Sequence, residues 1–204
     1  MKTRSMEVRE LSLPDLFLIT PKKLPDVRGV FFESFREDVI RAELGRPFDV
    51  TQANFSVSRR GALRGVHSVR VSPGQAKLVS CVRGAVLDVV VDLRVGSPTF
   101  GRHEALWLDD QAGTGLFISE GLGHSFLALA DDTCMHYQCS TTYAADTVVS
   151  VNALDPDLRL PWNLSAEAIM SDTDRAAPML AEAADLGMLS SYEECLRQYG
   201  RALA

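Results

Sequence analysis

The sequence lacks the features that mark membrane proteins and secreted proteins. It has no run of about 20 apolar residues, the length that a membrane-spanning helix needs, and its charged amino terminus contains no apolar segment typical of a secretion signal. Only four of the 204 residues are cysteines. No two of them form a CxxC pair, so reduced thiols are expected rather than a disulfide framework. These absences predict a cytoplasmic protein with no membrane partner.

The sequence also lacks an excess of positive charge. It has 21 Lys and Arg against 27 Asp and Glu, which gives a formal net charge of -6. A chain with this balance has no global positive field to attract nucleic acid or an anionic membrane, so neither is expected as a partner. A ligand that carries phosphate groups would have to be bound by local basic residues.

Short apolar runs with a period of two are the main pattern that the sequence does contain. Within residues 86–93 the odd-numbered apolar residues share one face, whereas Asp88 and Asp92 lie on the other face with two valines. Gly, Pro, Asp or Ser residues separate this run from its neighbours. Many short strands at such spacing predict a sandwich or barrel. Similar runs occur at 16–19, 30–35, 76–82, 116–119, 125–129 and 134–140.

Helical patterns are few and lie outside these strands. Three helices are predicted, at 39–44, 177–189 and 191–199. Ser34 and Glu37 have capping-box spacing before the first helix, and Ser191 and Glu194 have it before the third. Helices are therefore expected at the periphery of a β core.

A glycine-rich stretch that ends in His124 approximates the second sequence motif of cupin proteins. The first cupin motif has a His-x-His pair that helps to hold a transition metal, but the residue two positions after His67 is Val69. Since a stable site needs three or four convergent ligands, no bound metal and no cofactor are expected. The predicted fold is mainly β, a cupin jelly-roll barrel or sandwich with a few peripheral helices. It forms one domain over residues 1–204, with a helical extension from about residue 175.

Two groups of residues are candidates for chemistry. Arg64, His67 and Lys77 lie within one predicted strand-turn-strand stretch, where arginine and lysine suit an anionic ligand and histidine suits proton transfer near neutral pH. Further along, alternation directs Tyr137 toward the barrel interior and His136 away from it. From these residues alone, a structural role for His67 and a purely packing role for Tyr137 both remain open.

Seven segments occur in an order that strongly resembles one enzyme family. They are RGVFFE at 28–33, QANFSVS at 52–58, LRGVH at 63–67, QAKLV at 75–79, LDVVVDLR at 87–94, GSPTFG at 96–101 and DPDL at 155–158. Together they are similar to the dTDP-4-dehydrorhamnose 3,5-epimerase family over a match that runs from about residue 16 to residue 180. The carboxyl-terminal MLSSY at 188–192 is similar to the branch that modifies deoxysugars for antibiotics.

The resemblance implies a metal-free homodimeric isomerase that inverts C3, C5 or both of a dTDP-linked 4-keto-6-deoxyhexose through an enolate. It implies that His67 is the base, that Asp174 orients the imidazole and that Tyr137 is the acid on the opposite side. Lys77 matches the lysine near the sugar ketone. These residue types suit the reaction, because removing a weakly acidic proton next to a ketone needs both a base and stabilisation of the developing negative charge.

The resemblance also implies a binding site for the nucleotide. Arginine suits such a site because its planar guanidinium can bind phosphate through two hydrogen bonds. Four residues are expected around the dTDP group or its diphosphate: Arg28, Gln52, Asn54 and Arg64. Three more are expected at its ends: Glu33 near the thymidine, Tyr143 stacked on thymine, and His124 near phosphate or sugar. Surface ion pairs are the alternative for Arg28 and Glu33.

The chain departs from the family pattern at four positions, which are Ser68 and Val69 after the base, Ser119 in place of proline, and Thr173 in place of lysine. Contacts to the sugar can therefore differ from those of other members, and the carbon that is inverted is left open. Three alternatives also stay open. They are a 3,4-ketoisomerase acting on the same substrate class, a non-catalytic nucleotide-sugar-binding cupin, and a metal-dependent cupin.

Overall fold

The computed structural model describes residues 5–164 and 166–201, and the elements below are those of this part of the chain. The first strands are β1 (Met6–Glu10), β2 (Leu16–Pro21), β3 (Leu24–Asp26), β4 (Gly29–Phe31), β5 (Gln52–Ser58), β6 (Leu63–Val69) and β7 (Lys77–Arg83). The later ones are β8 (Ala85–Asp92), β9 (His103–Asp109), β10 (Gly115–Ile118), β11 (Leu122–Ala128), β12 (Thr133–Cys139) and β13 (Val148–Ser150). The helices are α1 (Glu37–Leu44), α2 (Asp172–Arg175), α3 (Leu180–Asp185) and α4 (Tyr192–Gln198).

Two antiparallel sheets make up most of the fold. The larger has the strand order β1-β2-β10-β7-β12-β5, the smaller has the order β13-β6-β11-β8-β9, and β3 and β4 form a separate hairpin. Consecutive strands repeatedly lie in different sheets, so the two sheets are joined by many crossovers. This arrangement agrees with the predicted mainly β sandwich or barrel.

The main hydrophobic core lies between the two sheets. Alternate residues of β8, β11 and β12 meet there, with Val90, Phe126 and Met135 almost fully buried. The opposite face of β8, which includes Val89 and Val91, packs against the segment that follows β13. The alternation at 86–93 correctly predicts a strand here. Both of its faces are covered, and Asp88 is directed into the interior between the sheets.

The predicted helices are confirmed in part. Helix α1 ends at Gly45, whose φ of 70° is the left-handed conformation that glycine adopts readily, but its N-cap is Arg36, so the predicted capping box of Ser34 is wrong. Helix α4 begins after Ser191 with the complete capping box that its sequence predicts. Helix α3 is shorter than the predicted 177–189. Residues 1–4, 165 and 202–204 of the predicted domain lie outside the described part of the chain.

Candidate active site

One cavity of about 360 Å³ brings together most of the predicted site residues. Strands β5, β6, β7, β11 and β12 and the loop after β12 contribute its walls, so both sheets take part. The cavity therefore opens from the interior of the barrel. Seven of the predicted residues line it: Asn54, Arg64, His67, Lys77, His124, Tyr137 and Tyr143.

His67 and Asp174 form a close pair at this cavity. His67 Nε2 lies 2.6 Å from Asp174 Oδ1, and the exposed fractions of the two side chains are 39% and 7%. Burial alone would raise the pKa of Asp174, but its hydrogen bond to His67, the charge of His67 and the Ser171 hydroxyl together lower it. An ionised carboxylate accepts the proton of Nε2, which leaves Nδ1 of His67 free to act as a base.

The local backbone explains how this pair is placed. Gly65 has a φ of 108°, and a Cβ atom there would lie 2.4 Å from the carbonyl oxygen of His124. A side chain at position 65 would push β6 away from β11, so the glycine of the LRGVH segment permits their close approach. Ser171 caps helix α2 by accepting a hydrogen bond from the Asp174 amide at 3.1 Å. That cap holds the carboxylate beside the imidazole.

Tyr137 lies on β12 and is directed into the cavity. Its hydroxyl is 3.0 Å from Ser56 Oγ on the neighbouring strand β5. Burial raises the pKa of Tyr137 to about 12, and the charge of Asp88 adds to this effect, while the Ser56 hydrogen bond and Arg64 oppose it. The phenol therefore keeps its proton at neutral pH and is suited to act as an acid.

Lys77 is a second basic residue that lines the cavity, together with Arg64. It lies on β7 opposite Cys139 of β12 in the strand register, and both residues line the cavity. Burial lowers the pKa of Lys77, and the nearby Cys139 thiol partly offsets this. An amine in such surroundings can donate a hydrogen bond to a carbonyl oxygen and stabilise negative charge as it develops there.

His124 forms a second histidine–aspartate pair with Asp88, which is not among the predicted site residues. Its Nε2 lies 2.8 Å from Asp88 Oδ2, and the exposed fractions of the two side chains are 6% and 0%. The alternation of β8 puts Asp88 on one face with Val86 and Val90, and the structure shows that this face is inward and apolar. A carboxylate on such a face needs a partner, and the structure supplies His124.

Three of the residues predicted to bind the nucleotide, Gln52, Asn54 and Tyr143, form a hydrogen-bonded group at the mouth of the cavity. Gln52 donates to Asn54 Oδ1 at 3.0 Å and accepts the backbone N–H of Tyr143 at 2.8 Å. The ring of Tyr143 is exposed. Arg64 donates through Nε to Ser58 at 3.1 Å, and within residues 5–164 and 166–201 its two terminal nitrogens remain available for an anion.

Arg28 and Glu33 do not line the cavity of their own chain. Arg28 lies between β3 and β4, is 86% exposed and pairs with Asp26 of the same hairpin at 2.6 Å. Glu33 follows the hairpin and lies 3.7 Å from Arg36. The structure therefore separates these two residues from the other predicted binding residues.

No group of three or more His, Cys, Asp or Glu side chains in residues 5–164 and 166–201 is arranged to hold a metal ion. None of the helices in that part of the chain is long and apolar enough to cross a membrane.

A two-sheet β fold whose cavity holds a histidine–aspartate pair, a protonated tyrosine and a lysine defines an acid–base enzyme built on the cupin jelly roll. Comparison with known proteins identifies its group. The chain belongs to the dTDP-4-dehydrorhamnose 3,5-epimerase family, whose sequence profile matches residues 10–182. The predicted family, fold and isomerase class are thereby confirmed.

Three relatives illustrate the match. The dTDP-4-dehydrorhamnose 3,5-epimerase of Mycolicibacterium smegmatis is 50% identical over 190 residues, which cover 93% of this chain and 94% of the relative. The structure of the rmlC epimerase of Mycobacterium tuberculosis superposes with a TM-score of 0.93 at 44% identity and covers 96% of this chain and 98% of that one. The 3'-monoepimerase ChmJ of Streptomyces bikiniensis, solved with dTDP-quinovose, has a TM-score of 0.91 at 46% identity, with 93% and 96% covered.

Proposed function

We propose that this protein inverts C3, C5 or both of a dTDP-linked 4-keto-6-deoxyhexose in the biosynthesis of an antibiotic deoxysugar or of rhamnose. The observation that carries the proposal is that His67, whose imidazole is paired with Asp174, lines one cavity with Tyr137 and Lys77. The relatives support the substrate class, since they include a 3,5-epimerase of dTDP-4-dehydrorhamnose and a 3'-monoepimerase solved with dTDP-quinovose.

In the first step of the proposed reaction, Nδ1 of His67 removes the proton from the carbon next to the ketone. The electrons of the broken C–H bond move toward the ketone oxygen, and an enolate forms. Lys77 stabilises that oxygen through a hydrogen bond and its charge. Asp174 stabilises the imidazolium that forms, because its carboxylate already accepts the proton on Nε2.

In the second step, the Tyr137 hydroxyl returns a proton to the opposite face of the same carbon. A new C–H bond forms, the ketone is restored, and the centre is inverted. The phenolate then regains a proton while the His67 imidazolium loses one. Both electrons of the original C–H bond stay in the substrate, so the proposed reaction needs no redox cofactor.

The nucleotide half of the substrate is proposed to lie at the mouth of the cavity. The free terminal nitrogens of Arg64 suit the diphosphate, and the exposed ring of Tyr143 suits stacking on thymine. The hydrogen bonds of Gln52 to Asn54 and to the Tyr143 backbone support a preorganised site. His124 is proposed to contact the sugar or the phosphate from the inner wall.

A homodimer is proposed as the working form. Phe55 and Val57 are exposed on β5, which is an edge strand of the larger sheet, and Val30 and Phe31 are exposed on the β3–β4 hairpin. Apolar surface of this kind marks an interaction site. Sedimentation velocity is expected to give twice the mass of one chain, and Phe55→Glu is expected to shift the protein toward monomer. A monomer at micromolar concentration would contradict the proposal.

Arg28 and Glu33 are proposed to contact nucleotide within that dimer, since neither lines the cavity of its own chain. Arg28→Ala is then expected to raise the KM several-fold and to leave the kcat of the saturated enzyme nearly unchanged. An unchanged KM would instead support the alternative of a surface ion pair with Asp26.

A cytoplasmic location is proposed from the state of the cysteines. All four are free and buried in the structure. Free thiols are typical of reducing compartments. Fractionation of the source cells with an antibody against the protein would test the location.

The main experiment is incubation with the 4-keto-6-deoxy substrate in heavy water, followed by NMR. Deuterium at C3, at C5 or at both, together with inverted configuration, is the expected result, and the labelled positions identify the carbon. A product with no deuterium at C3 and none at C5 would contradict the proposal. A product whose ketone has moved to C3 would instead establish the ketoisomerase alternative.

A further inference from the structure

The candidate for a further role is Asp88, a buried charge inside the barrel. It lies on β8 opposite Phe126 of β11 in the strand register, and its side chain is 0% exposed. The neighbours on the same face of the strand, Val86 and Val90, belong to the main hydrophobic core. A carboxylate in such a place is costly unless a partner compensates for the lost water. Packing alone therefore does not explain a carboxylate at position 88.

The contacts of Asp88 point to a single partner. Its Oδ2 lies 2.8 Å from Nε2 of His124, whereas its Oδ1 is buried with no hydrogen-bond partner among the described residues. No side chain other than that of His124 hydrogen-bonds to this carboxylate within residues 5–164 and 166–201. Anything that Asp88 contributes through hydrogen bonding passes through that imidazole.

The orientation of His124 matters because of what surrounds it. The residue lines the cavity and is the direct register partner of His67 across β6 and β11. Its ring centroid lies 6.1 Å from that of Tyr137, at an interplanar angle of 70°. With Nε2 engaged by Asp88, Nδ1 is the ring nitrogen that remains available to a ligand.

We propose that Asp88 is a positioning residue for the reaction, acting through His124. The carboxylate holds the imidazole in one orientation and keeps the proton on Nε2, so that Nδ1 is presented to the sugar. This inference rests on the proposed function, because the sugar is the ligand that Nδ1 would meet. It extends that function to a residue that contacts neither substrate nor cofactor.

The first test measures the imidazole itself and needs no substrate. Nitrogen-15 NMR of the histidine side chains, with His124 assigned through His124→Gln, is expected to show the proton on Nε2 in the wild type. In Asp88→Asn, whose amide can either accept or donate, a mixture of the two tautomers is expected. A mixture already present in the wild type would overturn the proposal.

The second test measures turnover per folded molecule, counted by titration with thymidine diphosphate. Asp88→Asn is expected to lower kcat about 10-fold and Asp88→Leu about 100-fold, by analogy with residues that orient metal-binding imidazoles. The Kd of thymidine diphosphate is expected to change less than about twofold, since the Asp88 carboxylate lies away from the mouth of the cavity. A merely structural role would lower the melting temperature and leave kcat per folded molecule unchanged.

The third test asks whether Asp88 acts through His124. In the background of His124→Gln, adding Asp88→Asn is expected to lower kcat by less than about twofold, because coupled residues are non-additive. A further 10-fold loss would overturn the proposal. Wild-type protein that incorporates no deuterium would contradict the proposed function alone, and the NMR measurement would still decide the role of Asp88.

Discussion

Two histidine–aspartate pairs stand side by side in this molecule and differ in depth. The outer pair, His67 with Asp174, spans 2.6 Å, and its imidazole is 39% exposed. The inner pair, His124 with Asp88, spans 2.8 Å, and its imidazole is 6% exposed. A base must exchange its proton in every turnover, which the outer position permits. The same two residue types, set deeper, are suited to holding a fixed orientation.

The two pairs are also assembled differently. Asp88 reaches His124 diagonally from the adjacent strand, where the register places it opposite Phe126, so the inner pair is formed within one sheet. Asp174 lies 107 residues after His67 and reaches it only because the segment after β13 docks on the outside of the smaller sheet. Asn152 helps to hold this segment, donating to the carbonyl oxygen of Arg175 at 3.1 Å. Proton abstraction therefore depends on a docked segment, whereas the inner pair depends on the barrel.

The largest effect is expected from His67→Asn, which removes the base of the outer pair. General-base catalysis contributes up to about 10⁴-fold, so a loss near that size is expected in kcat. Deuterium incorporation followed by NMR checks it. The Kd of thymidine diphosphate serves as the control and is expected to stay within a few-fold of the wild-type value. Incorporation at the wild-type rate would show that the outer pair is not the base.

Asp174→Asn is expected to cost about 10³-fold in kcat, because an amide that donates to Nε2 forces the proton onto Nδ1 and blocks the base. The matched variant is Asp88→Asn in the inner pair, with its smaller expected loss. Steady-state kinetics of both variants, side by side, measure the comparison directly. Equal losses in the two variants would remove the distinction between a reacting pair and an orienting pair.

Tyr137→Phe is expected to lower the rate of inversion about 10²-fold, in the middle of the range for a general acid. His67 would still remove a proton and return a deuteron to the same face. NMR in heavy water should then show deuterium incorporation with retained configuration. Loss of exchange and inversion in equal measure would mean that Tyr137 is needed for the first step as well.

Ser171→Ala is expected to have a small effect that is confined to the outer pair. Loss of an N-cap costs about 1 kcal/mol of stability. If all of this free energy is lost from the placement of Asp174, kcat falls up to about fivefold. The nitrogen-15 signal of His124 is the internal control and should not move. A change in that signal would show that the two pairs are not independent.

The smallest effect on the site is expected from raising the pH, because Tyr137 loses its proton only at high pH. The pKa of Tyr137 is raised to about 12 by burial, with a contribution from Asp88, so the phenol keeps its proton up to about pH 11. Because the pKa of Tyr137 is higher in the folded protein than in the unfolded chain, its protonated form contributes stability in full below the ordinary tyrosine value of about 10. This contribution to the free energy of unfolding is lost as the pH rises from about 10 toward 12. The difference in ultraviolet absorption between wild type and Tyr137→Phe measures the titration. A midpoint near 10 would show that water reaches the inner region.

Pattern and motif could predict much of the fold and of the site. Alternation at 86–93 predicted strand β8, and Ser191 with Glu194 predicted the start of α4, because both patterns depend on neighbouring residues. Ser34 failed as a cap because the backbone turns into helix two residues later, at Arg36. Local spacing could not distinguish between these two starting points.

By itself, the sequence determined the mainly β fold, the family and the types of residue available for proton transfer, since these depend on composition, order and short-range periodicity. Only the tertiary structure decided that Asp88 belongs to His124 and that Arg28 lies outside the cavity of its own chain. The pairing of Asp88 with His124 depends on how strands β8 and β11 are aligned. The position of Arg28 depends on where the β3–β4 hairpin packs. Neither is encoded in a local pattern of residues.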